Sequence, residues 1–446
     1  MATRAKKLIA STQKAVPEGT FAVGIGMAVA GVMAYVFQSV AGRSLSKPDY
    51  AALNSLWVVT FILAPGFFLP LEQEVGRALA HRRANGEGGL PIVKRAASLG
   101  AMLTAVILIL IAVTSPYLVG PLFHDNWALV GWLCVALVAY FGQHMGRGIV
   151  AGNARFKPYG ILMGSEALLR AIPAVVLAVL AVKSPGWFAA AFSLAAVLAI
   201  GVAFRGELAR LTAGPAASWG ELSHALGWLL TGSVLAQVLG YSAFLAVVAL
   251  KTDAQRSMAG DFTQGFFTAR IPILLFQAIQ AAMLPKLANL LGAGRTQDFK
   301  NALKKLTIVV AGVGILGILG SAAVGPIAGK VLFGKGFVLG RSDLIMLAAG
   351  NAAFTFALTL GQALIALKCY ARTAISWALG VVGFAATLLA TKNSEVFARG
   401  EISFLVGSVV GLAVMMGMLA QRLQGDIPVG TGNGLVEAIE HEPLEI

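Results

Sequence analysis

Arg270 stands about 12 residues into the apolar run that opens at Met258, roughly 18 Å along a helix rising about 1.5 Å per residue. In a hydrocarbon core about 30 Å thick that is near the middle. A cation at this depth costs at least about 2.5–3.5 kcal/mol unless it faces water or a partner. Thr263, Arg270 and Gln277 recur every seventh residue, a spacing that keeps them on one helix face. The stripe is expected to line a water-filled cavity, the competing expectation being a carboxylate from another helix. Asp261, on the same run, is too far along it to be that partner. Guanidinium chemistry at such a place is anion recognition, because the group stays charged and offers a fork of donors.

A second intramembrane arginine has a partner in its own helix. Glu166 and Arg170 are four residues apart in the favourable order, and Arg170 falls roughly 16 Å from Tyr159, again near the midplane. The pair is expected to serve structure first, although Arg170 also ranks as a candidate substrate contact. Ser233, Gln237 and Tyr241 share a face of the run 224–250, as do Asn351, Thr355 and Gln362 in 342–367. Gln237 is the candidate ligand contact of that group; such residues often only bond neighbouring helices.

These residues need a scaffold of spans. The 446 residues are 58% hydrophobic and 12% charged, against about 25% charged in soluble domains. With a mean hydropathy of +0.80 the chain is an all-α polytopic membrane protein. Apolar segments fall at 20–40, 51–71, 93–115, 127–147, 159–182, 186–204, 224–250, 258–284, 302–328, 342–367, 372–391 and 402–421, which predicts about twelve transmembrane helices. Lys and Arg number 22 in the segments this order places inside and 10 in those outside, with Arg170 and Arg270 within spans. That bias puts both termini in the cytoplasm and accounts for the +14 charge without nucleic acid. The basic loops Arg77–Arg95 and Lys286–Lys305 are expected to set topology and touch anionic lipid.

The expected organisation is a basic N-terminus (1–19), a six-helix lobe (20–204), a linker (205–223), a second six-helix lobe (224–422) and a disordered tail (423–446). An echo supports duplication. Leu69-Pro70 with its apolar and basic sequel recurs as Leu284-Pro285, and GIVAGNARFKPY (148–159) parallels ALIALKCYARTA (363–374). Six is even, so the halves insert in the same direction, giving a parallel repeat with a cleft between them. Gly24, Gly26, Ala28, Ala30 and Gly31 make the first helix smooth enough for close packing or bending.

Enzyme chemistry finds little support. The histidines at 81, 124, 144, 224 and 441 have no ligand spacing. Two isolated cysteines make neither a metal site nor a disulfide framework, and no Walker A sequence is present. No cofactor, metal or catalytic residue is expected. A membrane glycan polymerase or ligase is the competing class, disfavoured because no external loop has room for a catalytic domain.

The twelve spans, the segment RSLSKPDYAALNSL (43–56), the basic helix end RGIVAGNARFKPYG (147–160) and RIPILLFQAIQAAMLPKLANLL (270–291) together resemble the polysaccharide-type flippases of the multidrug/oligosaccharidyl-lipid/polysaccharide (MATE-like) superfamily, over roughly residues 15–422. The resemblance implies that undecaprenyl-diphosphate-linked sugars are flipped outward across the inner (plasma) membrane by alternating access. It also implies a cationic cleft lined by helices 1, 2, 7 and 8, with membrane lipids and a polysaccharide polymerase as partners. The lipid II branch keeps several arginines in helices 1, 2 and 8. Here helices 1 and 2 have none at depth, which favours an O-antigen or capsule repeat unit as cargo. The multidrug branch uses acidic cation sites, and helix 1 has no acidic residue. A lipid II flippase and a cation-coupled multidrug exporter are the alternatives.

Overall fold

The computed structural model describes residues 20–218, 222, 226–252, 256–271, 287, 290–291 and 294–424. Among them twelve α-helices run in order: α1 (Thr20–Ser44), α2 (Lys47–Ala84), α3 (Leu90–Phe123), α4 (Trp127–Gly152), α5 (Phe156–Val179), α6 (Pro185–Ala203), α7 (Leu226–Leu250), α8 (Arg256–Ala269), α9 (Thr296–Phe333), α10 (Arg341–Ala366), α11 (Tyr370–Ala390) and α12 (Val396–Gln424). There is no strand among the described residues, and eleven of the helices are long and apolar enough to cross a membrane. The remaining one, α8, is the described beginning of the predicted span 258–284, whose second half lies outside the described residues. Leu-, Ala- and Val-rich runs must be helical in lipid, because only an internal ladder satisfies every backbone group there.

The chain divides into two compact units. One comprises Met1–Ser44, Phe67–Val119 and Asn126–Ser223; the other comprises Leu45–Gly66, Gly120–Asp125 and His224–Ile446. The long helix α2 therefore contributes to both, changing membership at Gly66 beside Pro65.

In the first unit α1 lies against α5 without side chains between them. A Cβ on Gly26 would overlap the Gly160 carbonyl, and one on Gly160 would overlap Ala22. The facing motifs are Ala22/Gly26 and Gly160/Gly164, small residues one turn apart that let backbones approach. Gly24, by contrast, faces open space. At its other end α1 is fixed by Phe37, whose ring sits 6.4 Å from Phe188 and 6.5 Å from Phe192 on α6.

The segment expected to be a plain linker is docked on the α2–α3 turn. Leu90 N–H donates to Thr212 O at 3.0 Å, and a Cβ on Gly88 would overlap the Ala213 carbonyl. Arg82 corrects the reading of the first basic loop. It is 2% exposed, and its guanidinium donates to Gly88 O and Pro215 O at 3.0 Å each, so it is a buried clasp and does not reach lipid headgroups.

In the second unit α10 starts with Asp343 accepting from Gly340 N–H at 3.0 Å, and α9 stops at Gly334 with φ +88°. The turns α4–α5 and α10–α11 are built alike. Ala154 (φ 57°) and Lys368 (φ 60°) are left-handed, and Arg155 N–H to Val150 O (2.7 Å) matches Cys369 N–H to Leu364 O (2.8 Å). This is the local geometry behind the repeated sequence at 148–159 and 363–374.

Candidate functional site

Arg270 lies one residue past the end of α8, where its N–H turns to Phe267 O at 3.2 Å, a tighter closure than an α-helix makes. The guanidinium donates to Gly240 O on α7 at 2.6 Å. It lies 4.4 Å from the centre of the Tyr241 ring and 4.9 Å from that of Phe266, and these two rings are 6.1 Å apart. Aromatic faces attract a cation without neutralising it. Among the described residues no carboxylate is within ion-pair distance of Arg270, and no second hydrogen-bond acceptor reaches it. The residue is partly exposed, so the remaining donors of the fork are available to a ligand.

The other members of the stripe differ. Thr263 is fully buried and its hydroxyl donates to Ala259 O at 2.6 Å within its own helix. Gln277 lies outside the described residues. Gln237 sits half-buried on α7, one turn before Tyr241. Ser233, on the same face, donates to Pro65 O at 3.0 Å. On α10, Thr355 bonds Asn351 O, Thr359 bonds Thr355 O, and Asn351 donates to the α8 terminus at Ala269 O over 3.4 Å. Asn351 and Ala269 border a cavity of about 20 Å³, room for one water.

The first unit holds two buried arginines that are paired with glutamates. Arg170, 4% exposed, contacts Glu166 at 3.2 Å, and the same carboxylate oxygen accepts Tyr140 O–H at 2.7 Å. Its guanidinium also lies 5.5 Å from the Phe192 ring centre. One and two turns further along α4 is a cluster that sequence reading missed. His144 Nδ1 is 2.8 Å and Arg147 Nη2 is 2.9 Å from Glu72 Oε2, while Tyr159 O–H donates to Glu72 Oε1 at 3.1 Å. The Arg147 guanidinium lies 5.7 Å from the Tyr159 ring centre. Arg147, counted from sequence with the cytoplasmic loop, is on α4 with its side chain 11% exposed. The spacing Tyr140, His144, Arg147 puts all three on one helix face, the signal that could have found them. Glu72 could not be found this way, because it is 72 positions from His144.

Among the described residues no group of His, Cys, Asp and Glu could hold a metal ion. Both cysteines are free thiols.

No family model matches the chain. Over 439 residues, 95% of this chain and 98% of the relative, it is 26% identical to an uncharacterized protein of Mycobacterium tuberculosis (strain ATCC 25618 / H37Rv). An uncharacterized protein of Mycobacterium bovis is 25% identical over 418 residues, covering 91% and 93% of the two chains. Among solved structures, the inward-facing conformation of a multidrug resistance MATE family transporter of the MOP superfamily superposes with a TM-score of 0.69 at 14% identity, over 90% of this chain and 98% of that one. The outward-facing conformation of such a transporter gives 0.65 at 16% identity, over 91% and 94%. A mutant of the Vibrio cholerae MATE transporter VcmN gives 0.67 at 13% identity, over 92% and 96%. The chain is a multi-pass membrane protein with the MATE transporter fold.

Proposed function

We propose that this protein is a transporter that flips a polyprenyl-diphosphate-linked oligosaccharide from the cytoplasmic to the outer leaflet of the plasma membrane by alternating access, both termini being cytoplasmic. The observation that carries the reading is the contrast among arginines. Arg147 and Arg170 each face a glutamate, whereas among the described residues Arg270 faces rings and one carbonyl and no carboxylate. A diphosphate entering a low-dielectric interior needs such a cation, and a guanidinium grips it through two donors at once. In this reading Gln237, one turn from Tyr241, contacts the sugar. A polymerase that extends the delivered glycan is the natural partner.

The test is reconstitution of the full chain in liposomes with a fluorescent undecaprenyl-diphosphate oligosaccharide. The wild type should move the lipid between leaflets and leave it chemically intact. Arg270→Ala should reach the membrane in normal amount and lose movement, and Arg270→Lys should keep part of it. Undiminished movement by Arg270→Ala would sink the role of this cation. A lengthened glycan or a released lipid diphosphate would make the chain a polymerase or ligase, and expulsion of organic cations alone would make it a multidrug exporter.

A further inference from the structure

The geometry of the first unit points to a proton-binding site at His144, at which a proton and the Arg147 guanidinium exclude one another. His144 is buried, and the charged groups against it are Glu72 on α2 and Arg147 on α4, with Phe68 of α2 6.1 Å from its ring; Tyr159 on α5 donates to the same Glu72, and Tyr140 precedes His144 by one turn of α4. Glu166 on α5 acts on Arg147 through space and holds Tyr140 and Arg170.

Two cations compete for one anion here. Glu72 Oε2 is 2.8 Å from His144 Nδ1 and 2.9 Å from Arg147 Nη2, and the same Nη2 is 2.6 Å from Nδ1 and 2.9 Å from Nε2 of the ring. With the ring neutral, Nδ1–H donates to Glu72, the Arg147 guanidinium rests against the uncharged ring, and Glu72 and Arg147 cancel. A proton taken from water onto Nε2 makes the ring a cation. It also sets an imidazolium within 3 Å of a guanidinium over a single carboxylate. At that separation like charges in a poorly solvated interior repel by several kcal/mol even at an effective dielectric of about 20. Arg147 must leave Glu72, which then pairs with the imidazolium alone; loss of the proton restores the arginine.

No bond other than N–H forms or breaks. Among the described residues the displaced guanidinium is held otherwise by the Tyr159 ring and a 3.5 Å approach to Met163 Sδ, contacts that leave it able to take an anion. This gives the proposed transporter a proton-linked step, and that coupling rests on the function proposed above. The site itself does not.

The test uses the full chain, labelled with ¹⁵N at histidine and arginine, in nanodiscs of neutral lipid. On acidification from about pH 8, through and below the range in which free imidazoles respond, the His144 signals should pass from one bare and one protonated nitrogen to the imidazolium. The Arg147 guanidinium signals should move with the same midpoint. His144→Gln identifies the histidine signals by their loss and should leave Arg147 insensitive to pH. A ring that stays neutral down to the pH at which the protein unfolds, one already charged at about pH 8, or a titration that leaves Arg147 still would each overturn the inference. In the liposome assay His144→Gln should lose the acceleration that a pH difference gives the wild type; retained acceleration would overturn the coupling. If the wild type moves no lipid-linked glycan, the proposed function fails while the nitrogen spectra still decide the proton site.

Discussion

The Glu166 carboxylate holds two neighbours, Arg170 and the Tyr140 hydroxyl, through the same oxygen. Removing one member of a buried pair strands the other charge, a loss of about 3–5 kcal/mol, whereas replacing both with uncharged groups of similar bulk is often nearly neutral. Arg170→Met and Glu166→Gln should each lower folded yield and melting temperature, and the double variant should regain most of both. Thermal unfolding in detergent checks this. Single variants that fold like the wild type yet abolish lipid movement would place the pair in the transport path. The pair was legible because its members are four residues apart on one helix. The Glu72 cluster was not, since three helices supply it and no local spacing joins Glu72 to His144 or Tyr159. Arg82 and Arg147 misled for another reason. A basic residue near a helix end reads as a topology signal, and only packing reveals that it is buried against carbonyls or a carboxylate.

Small residues along α1 and α5 replace interdigitation with backbone contact. Sequence alone marked α1 as smooth but did not distinguish the glycine that is used from the ones that are not. Gly26 meets Gly160, while a Cβ on Gly24 would meet nothing within 4 Å among the described residues. Rotation about the helix axis decides that, and apolar composition carries little rotational information when every face is hydrophobic. Gly160→Leu should separate the two helices and cost about 1–3 kcal/mol or more through overpacking, while Gly24→Leu should be tolerated. Comparing the two melting temperatures tests the register directly. Equal losses would mean that the contact is misplaced.

Helix number, order and approximate ends followed from hydropathy, because a lipid-exposed span has no other way to satisfy its backbone. The surfaces that remain agree with a lipid environment. Val106, Ile109, Leu110, Val113 and Tyr117 of α3, and Ile315, Leu316, Leu319, Ile327 and Val331 of α9, are all exposed. What hydropathy left out is length. α2 and α9 each have 38 residues, about 57 Å of helix, nearly twice the hydrocarbon thickness. The charge bias predicts an orientation for the whole molecule, and thiol labelling in intact cells checks it. On a cysteine-free background, Glu87→Cys should resist an impermeant maleimide until the membrane is opened, and Asn393→Cys should react at once. The reverse pattern would invert the protein and the direction of transport with it.

The glycine seam has a mechanical corollary. Interlocked side chains resist shear as gear teeth do, whereas two bare backbones meet as smooth bearings. Near Gly26 and Gly160 nothing needs to change rotamer for α1 to slip along α5. Near Phe37 it is pinned between the rings of Phe188 and Phe192. A rod held at one end and lubricated at the other is a pivot, so the Gly26 end of α1 is the part of the first unit built to swing.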